Sequence, residues 1–164
     1  AHQMVDKHVV KMILEAGQML STSHRVLDGE EYYDRTKNNR RIKRWRLSDE
    51  REDKLWKASF VNHPCTQWTM ESRMNYRWHA THALALCREY THRYEKVHNS
   101  QALIEYLFNR EPLNIREGGL TKFAVAMPDQ YKVECSVESY RNYYRGEKAY
   151  FAKWKNRDTP VWWE

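Results

Sequence analysis

The sequence predicts a mostly α protein, a single compact helical domain over residues 1–164 with a basic surface loop and few or no strands. Three observations carry this expectation. A chain of 164 residues has the size of one domain with a real core. Hydrophobic residues make up 41% of it and Gly only 5 residues, which supplies a core and little turn chemistry. Its longest periodic segments repeat every three to four residues, the spacing of one helix face.

The first helix is expected from about Val5 to Arg25. Val9, Ile13, Ala16 and Leu20 form its core stripe, flanked by Val5, Met12 and Met19. His8 and Glu15 stand two turns apart just beyond that flank, with Lys11, Gln18 and Thr22 beside them. Gly29 after Asp28 ends the unit. Next comes YYDRTKNNRRIKRWRLSDEREDKLW, with Arg35, Lys37, Arg40, Arg41, Lys43, Arg44 and Arg46 in one short run. Asn38 and Asn39 favour a turn, and Asp49, Glu50, Glu52 and Asp53 then reverse the sign. Residues 35–54 therefore read as a charged surface excursion.

NHPCTQW is a loop, with Pro64 or Thr66 close to the next helix start. A long helix is expected over about Gln67–Val97, from Trp68, Ser72, Asn75, His82, Leu86 and Tyr90. A short one follows over Ser100–Phe108. Pro112, Gly118 and Gly119 mark a loop, and FAVAMP reads as a short strand or extended stretch. The last helix is expected over Val137–Lys155 with Ser136 as N-cap, and the aromatic tail RDTPVWWE docks back on the body.

The balance of 28 Lys and Arg against 22 Asp and Glu gives +6, which attracts polyanions such as nucleic acid. The 7 Trp and 11 Tyr supply both core and stacking surfaces. Cys65, Cys87 and Cys135 are odd in number and widely spaced, which argues against a disulfide scaffold or zinc ribbon. They read as reduced thiols of a cytoplasmic protein. The sequence has no signal-peptide pattern and no apolar run of membrane-spanning length. It opens at Ala1 rather than Met, which points to processing or to residues upstream.

Glu15, half desolvated at a helix boundary, can stabilise a developing cation or move a proton, with His8 orienting substrate or water. The plain alternative is a hydrogen-bonded boundary pair. His63, His79, His82 and His92 raise the possibility of a metal, but no HExxH-type signature appears, and no metal ligand is assigned. The run from Arg35 to Arg46 suits phosphate contact or a solvated loop. In ESYRNYYRGEKAYFAKW, Tyr140, Tyr144, Phe151 and Trp154 can share a core face. Arg141, Tyr143, Arg145 and Lys148 are then left outside.

DKHVVKMILE followed far downstream by YRNYYRGEKAYFAKW resembles small phage pyrimidine-dimer DNA glycosylase/AP lyases of the endonuclease V type, or a related phage family. That family carries a His and, seven residues on, an essential Glu in its first long helix, with a Tyr-rich basic segment near the DNA. The resemblance covers the two ends of the chain. It implies base excision on damaged or modified, double-stranded DNA through an imine, without a cofactor. His8 and Glu15 would take the His and Glu roles. Tyr143, Tyr144, Gly146 and Lys148 would lie in the DNA-contacting segment, Arg40, Arg41, Arg44, Lys148, Arg73 and Arg77 would hold phosphates, and Lys43, Arg141 and Arg145 read with them as nucleic-acid-binding. The family places arginines beside its Glu where this chain has Leu14 and Gln18. Its nucleophile is a mature N-terminal amine lying further upstream of the His than Ala1 lies from His8. Lys11, one turn before Glu15, is the substitute amine. Alternative readings are a non-enzymatic nucleic-acid-binding or virion accessory protein, and a metal-dependent phosphohydrolase.

Overall fold

The computed structural model describes residues 1–163. Among them are six α-helices and one two-stranded sheet, so the protein is mostly α. α1 covers Asp6–Asp28 and ends where the Gly29 N–H bonds back to the Arg25 carbonyl. A Cβ at Gly29 would lie 2.5 Å from that same oxygen, so a larger residue there must displace the chain. The Val9, Ile13, Ala16 and Leu20 stripe is buried, as its spacing predicts. It packs on Tyr76, Ala80, Ala83, Leu86 and Cys87 of α4 (Arg73–Tyr94), and on Ile104 and Leu107 of α5 (Gln101–Phe108). Each fully buried Val, Leu or Ile contributes roughly 1.5–3 kcal/mol.

α1 and α4 run antiparallel. Arg93, near the end of α4, donates to Asp6 at the start of α1, while Tyr76 near the start of α4 hydrogen-bonds to His24 near the end of α1. The buried guanidiniums are all paired, as charges taken out of water must be. Arg93 reaches Glu89 and Asp6, Arg51 reaches Asp28 and Asp49, and Arg25 reaches Glu52.

Several elements differ from the sequence expectation. The basic excursion is a β-hairpin rather than a loop: β1 (Glu30–Arg35) pairs antiparallel with β2 (Arg41–Arg46). Tyr32, Ile42 and Arg44 face the body while Tyr33 and Lys43 face out, a period of two that charge density had masked. Asn39 takes the left-handed conformation in the turn, at φ 59°. α2 (Arg51–Lys54) follows it.

The expected long helix is two. α3 (Pro64–Glu71) ends at Ser72, whose backbone is extended and whose hydroxyl caps the Asn75 N–H of α4. The 123–127 stretch forms no strand among the described residues, and its chain bends at Met127. The last helix is also shorter than expected. α6 is Ser136–Tyr143, with Cys135 rather than Ser136 at the N-cap position. It loosens into a π turn over Tyr144–Lys148 and a 3-10 turn over Ala149–Phe151. The Tyr131 ring lies where a Cβ of Gly146 would be, so only glycine lets that ring close on the π turn unmoved. The tail does dock: the Trp162 and Trp154 indoles both donate to Gln3, and the Trp163 ring meets Trp154. Glu164, the end of that tail, lies outside the described residues. No helix among the described residues is long and apolar enough to cross a membrane.

Candidate active site and nucleic-acid surface

His8, Lys11 and Glu15 project from one side of α1 at the boundary of its core stripe. The Lys11 ammonium lies 2.9 Å from a Glu15 carboxylate oxygen; the Lys11 side chain is 64% exposed and that of Glu15 only 23%. Glu15 is thus half desolvated beside an accessible amine.

His8 is held by the π turn, 136 residues away in sequence. Its Nδ1 is 2.5 Å from the Tyr144 hydroxyl, and its ring meets those of Tyr144 and Phe151. Burial pushes the His8 imidazole down to about 4, and the cations of Lys148 and Lys11 add to this while Glu15 opposes it. Burial also pushes the Tyr144 phenol well above its ordinary range, so it keeps its proton. Among the described residues His8 Nδ1 is the acceptor within reach of that hydroxyl. A buried phenol must spend its proton on an acceptor. Tyr144 therefore donates to Nδ1, and neutral His8 carries its own proton on Nε2. His8 is a fixed hydrogen-bond donor at neutral pH, not a cation.

Cys65 on α3 and Tyr140 on α6 complete the surroundings. Burial pushes the Cys65 thiol up, with Tyr140 opposing and the Glu15 charge adding to the rise. Burial pushes the Tyr140 phenol up to about 12, and its hydroxyl donates to the Ala124 carbonyl. A protonated thiol is a poor nucleophile, so Cys65 contributes shape and polarity here. Sequence reasoning missed Cys65, which nothing in spacing links to Glu15. Tyr140 and Tyr144 share a face as the sequence predicts, and that face meets Cys65 and His8.

The other expected binding residues fall into separate places. Lys148 sits over the Tyr143 ring at 4.7 Å, and Tyr143 packs on Tyr131. Arg141 pairs with Glu138 and lies over Trp162, and Arg145 donates to the Trp162 carbonyl. Arg73 and Arg77 are engaged by Glu111 and Glu117 at the start of α4, the end remote from His8. Arg40, Arg41, Lys43 and Arg44 lie on the hairpin beyond the end of α1. From Glu15 to Asp28 the helix rises about 20 Å, so the hairpin is a second surface.

His79 is half-buried with Nδ1 on the Thr69 hydroxyl, and His82 stacks on Trp78. No group of three His, Cys, Asp or Glu among the described residues is placed to hold a metal ion. A shallow open groove of about 710 Å³ runs between α3 and the 122–124 stretch, with Trp68, Gln67 and Lys122 in its walls. Glu15 is not part of it. No protein-family model, curated protein or solved structure matches this chain.

Proposed function

We propose that this chain is a DNA-binding enzyme of base excision, an N-glycosylase/AP lyase acting on damaged or modified double-stranded DNA through an imine. The meeting of His8, Lys11 and Glu15 on α1 with Tyr144 and Lys148 of the π turn supports it. An amine, a half-desolvated carboxylate, a neutral imidazole donor and a flanking cation are the groups this chemistry uses.

In the reaction the damaged nucleotide leaves the stack, which costs less at a lesion than at a sound pair. Glu15 accepts a proton from its ion-pair partner Lys11. The neutral amine attacks C1′ of the sugar, and the bond from C1′ to the base breaks, the base taking up the proton that the attacking nitrogen sheds. The ring opens at O4′, which Glu15 protonates, leaving a protonated imine between Lys11 and C1′. Removal of a C2′ proton then forms the C2′–C3′ double bond and expels the 3′ phosphate oxygen, which cuts the strand. His8 Nε2–H donates to a sugar or phosphate oxygen, and Lys148 neutralises a phosphate.

The test is borohydride reduction of the full chain on a duplex with one abasic site. A covalent adduct is expected from the native protein and none from Lys11→Ala. Glu15→Gln should slow strand cleavage by roughly 10²–10⁴-fold, the usual worth of general acid–base catalysis, while binding DNA normally. A native protein that binds the duplex but yields no adduct refutes the imine reading.

A further inference from the structure

The carboxylates of this chain are spent unevenly. Arg25, Arg51, Arg73, Arg77, Arg93 and Arg110 each reach one. On the hairpin the reverse holds. Among the described residues Lys43 pairs with Glu31, and none of the other cations between Arg35 and Arg46 has an ion-pair partner.

The register of the hairpin sorts these cations. Glu31 faces Trp45, Tyr33 faces Lys43 and Arg35 faces Arg41, and directly opposite residues share one face of an antiparallel pair. That face is the outward one: Tyr33 is 53% exposed, and Arg35, Arg41 and Lys43 are exposed with it. The other face turns to the body, where the Arg44 guanidinium donates to the Ala58 carbonyl. Arg44 therefore fastens the hairpin down and is not free for a ligand.

Two details argue that the outward face meets a polyanion. Arg35 and Arg41 are directly opposite like charges, an arrangement that costs a sheet stability. Arg35 also donates to Asn39 and the Arg41 guanidinium lies 3.6 Å from the centre of the Tyr33 ring, so both heads are pre-oriented without being neutralised. Lys37 and Arg40 add charge at the turn. The face is thus cationic and aromatic. Each strand of six residues is about 20 Å long, the rise of about six base pairs.

We propose that the outward face of the β1–β2 hairpin enters the major groove of duplex DNA, with Arg35 and Arg41 on phosphates and base edges and Lys43 exchanging its exposed Glu31 pair for a phosphate. The B-form major groove is wide enough for a two-stranded ribbon, whereas that of A-form RNA is too narrow. This inference rests on the DNA-binding part of the function proposed above and not on its catalytic groups.

The experiment compares the full chain with a triple substitution, Arg35→Thr, Arg41→Thr and Lys43→Thr, chosen because Thr retains strand propensity. A second variant, Lys37→Ser with Arg40→Ser, changes only the turn, and thermal unfolding of both checks the fold. Binding to a labelled duplex is measured by anisotropy over a roughly tenfold range of salt around 0.1 M. Guanine N7 reactivity toward dimethyl sulfate is mapped in parallel.

The native chain is expected to protect N7 atoms over about six base pairs. The triple variant should lose that protection, bind on the order of 100-fold more weakly near 0.1 M salt, and show a log–log salt slope shallower by about 3. Glu15→Gln should keep both the protection and the slope, so its loss of cleavage and the hairpin's loss of binding report on different claims. Native protein that leaves N7 fully reactive, a triple variant that binds like the native chain, or equal affinity for duplex RNA each overturn the proposal.

Discussion

Lowering the pH from 7 to 5 should destabilise this protein by several kcal/mol, and the cause lies in four histidines. His8, His24, His79 and His82 are each pushed by burial from the ordinary value of 6.5 to about 4. For His8 and His24 nearby cations add to the effect, Lys148 and Arg51 respectively. At pH 5 these groups are neutral in the folded chain and mostly protonated in the unfolded chain. The unfolded state then binds more protons, so stability falls as pH falls from about 6.5 toward 4. Each fully shielded His would contribute a loss of roughly 1.8 kcal/mol between pH 7 and pH 5. His24 is fully buried, while His8, His79 and His82 are half-buried and feel solvent screening, which brings the sum to about 3–5 kcal/mol. That is a large share of the 5–15 kcal/mol typical of a domain. The carboxylates do not confuse this window. Hydrogen bonds from Arg51 hold Asp49 down to about 2, and those of Arg157 and Arg93 outweigh burial to hold Glu89 down to about 2. Both act below pH 4.5. Urea unfolding at pH 7 and pH 5, at equal ionic strength, measures the difference directly. A change below about 1 kcal/mol, or histidine titrations by NMR near 6.5, refutes the reasoning.

Tyr144→Phe keeps the ring contacts with His8 and removes only the donor to Nδ1. It should cost about 1–2 kcal/mol and shift His8 away from the Nε2–H tautomer, which nitrogen chemical shifts read without any activity assay. Retention of that tautomer shows that the hydroxyl does not set it. Glu95, at the end of α4, holds φ 55°, a conformation that costs an L-residue roughly 1–2 kcal/mol. Glu95→Gly should raise the melting temperature by about 2–4 °C, and an unchanged or lower value contradicts that assignment of strain.

Much of this molecule was legible in its sequence because periodicity acts locally. Val9, Ile13, Ala16 and Leu20 had to lie on one helix face, and His8, Lys11 and Glu15 had to line its edge, whatever surrounded them. Gly29 had to stop the helix, and the seven cations near residue 40 had to seek the surface. Where long-range contacts choose between local options, sequence was mute. Ser72 suits a helix interior or a cap equally, and its hydroxyl bond to the Gly119 carbonyl decides for a break. Gly146 permits a helix or a π turn, and the Tyr131 ring closing on it selects the latter. The charged excursion became a hairpin because Arg44 and Arg25 bind it to the body through the Ala58 and Trp45 carbonyls.

The tertiary structure also decided what each candidate group is able to do. Sequence put an imidazole beside a carboxylate and an amine. Folding buried that imidazole against Tyr144 and left it neutral, because a charge costs more to desolvate than one hydrogen bond returns. It likewise brought carboxylates to Arg73, Arg77 and Arg93 of α4 and none to Arg35 or Arg41 of the hairpin. Net charge is a property of composition, but which cations remain unpaired depends on which residues the fold brings within reach.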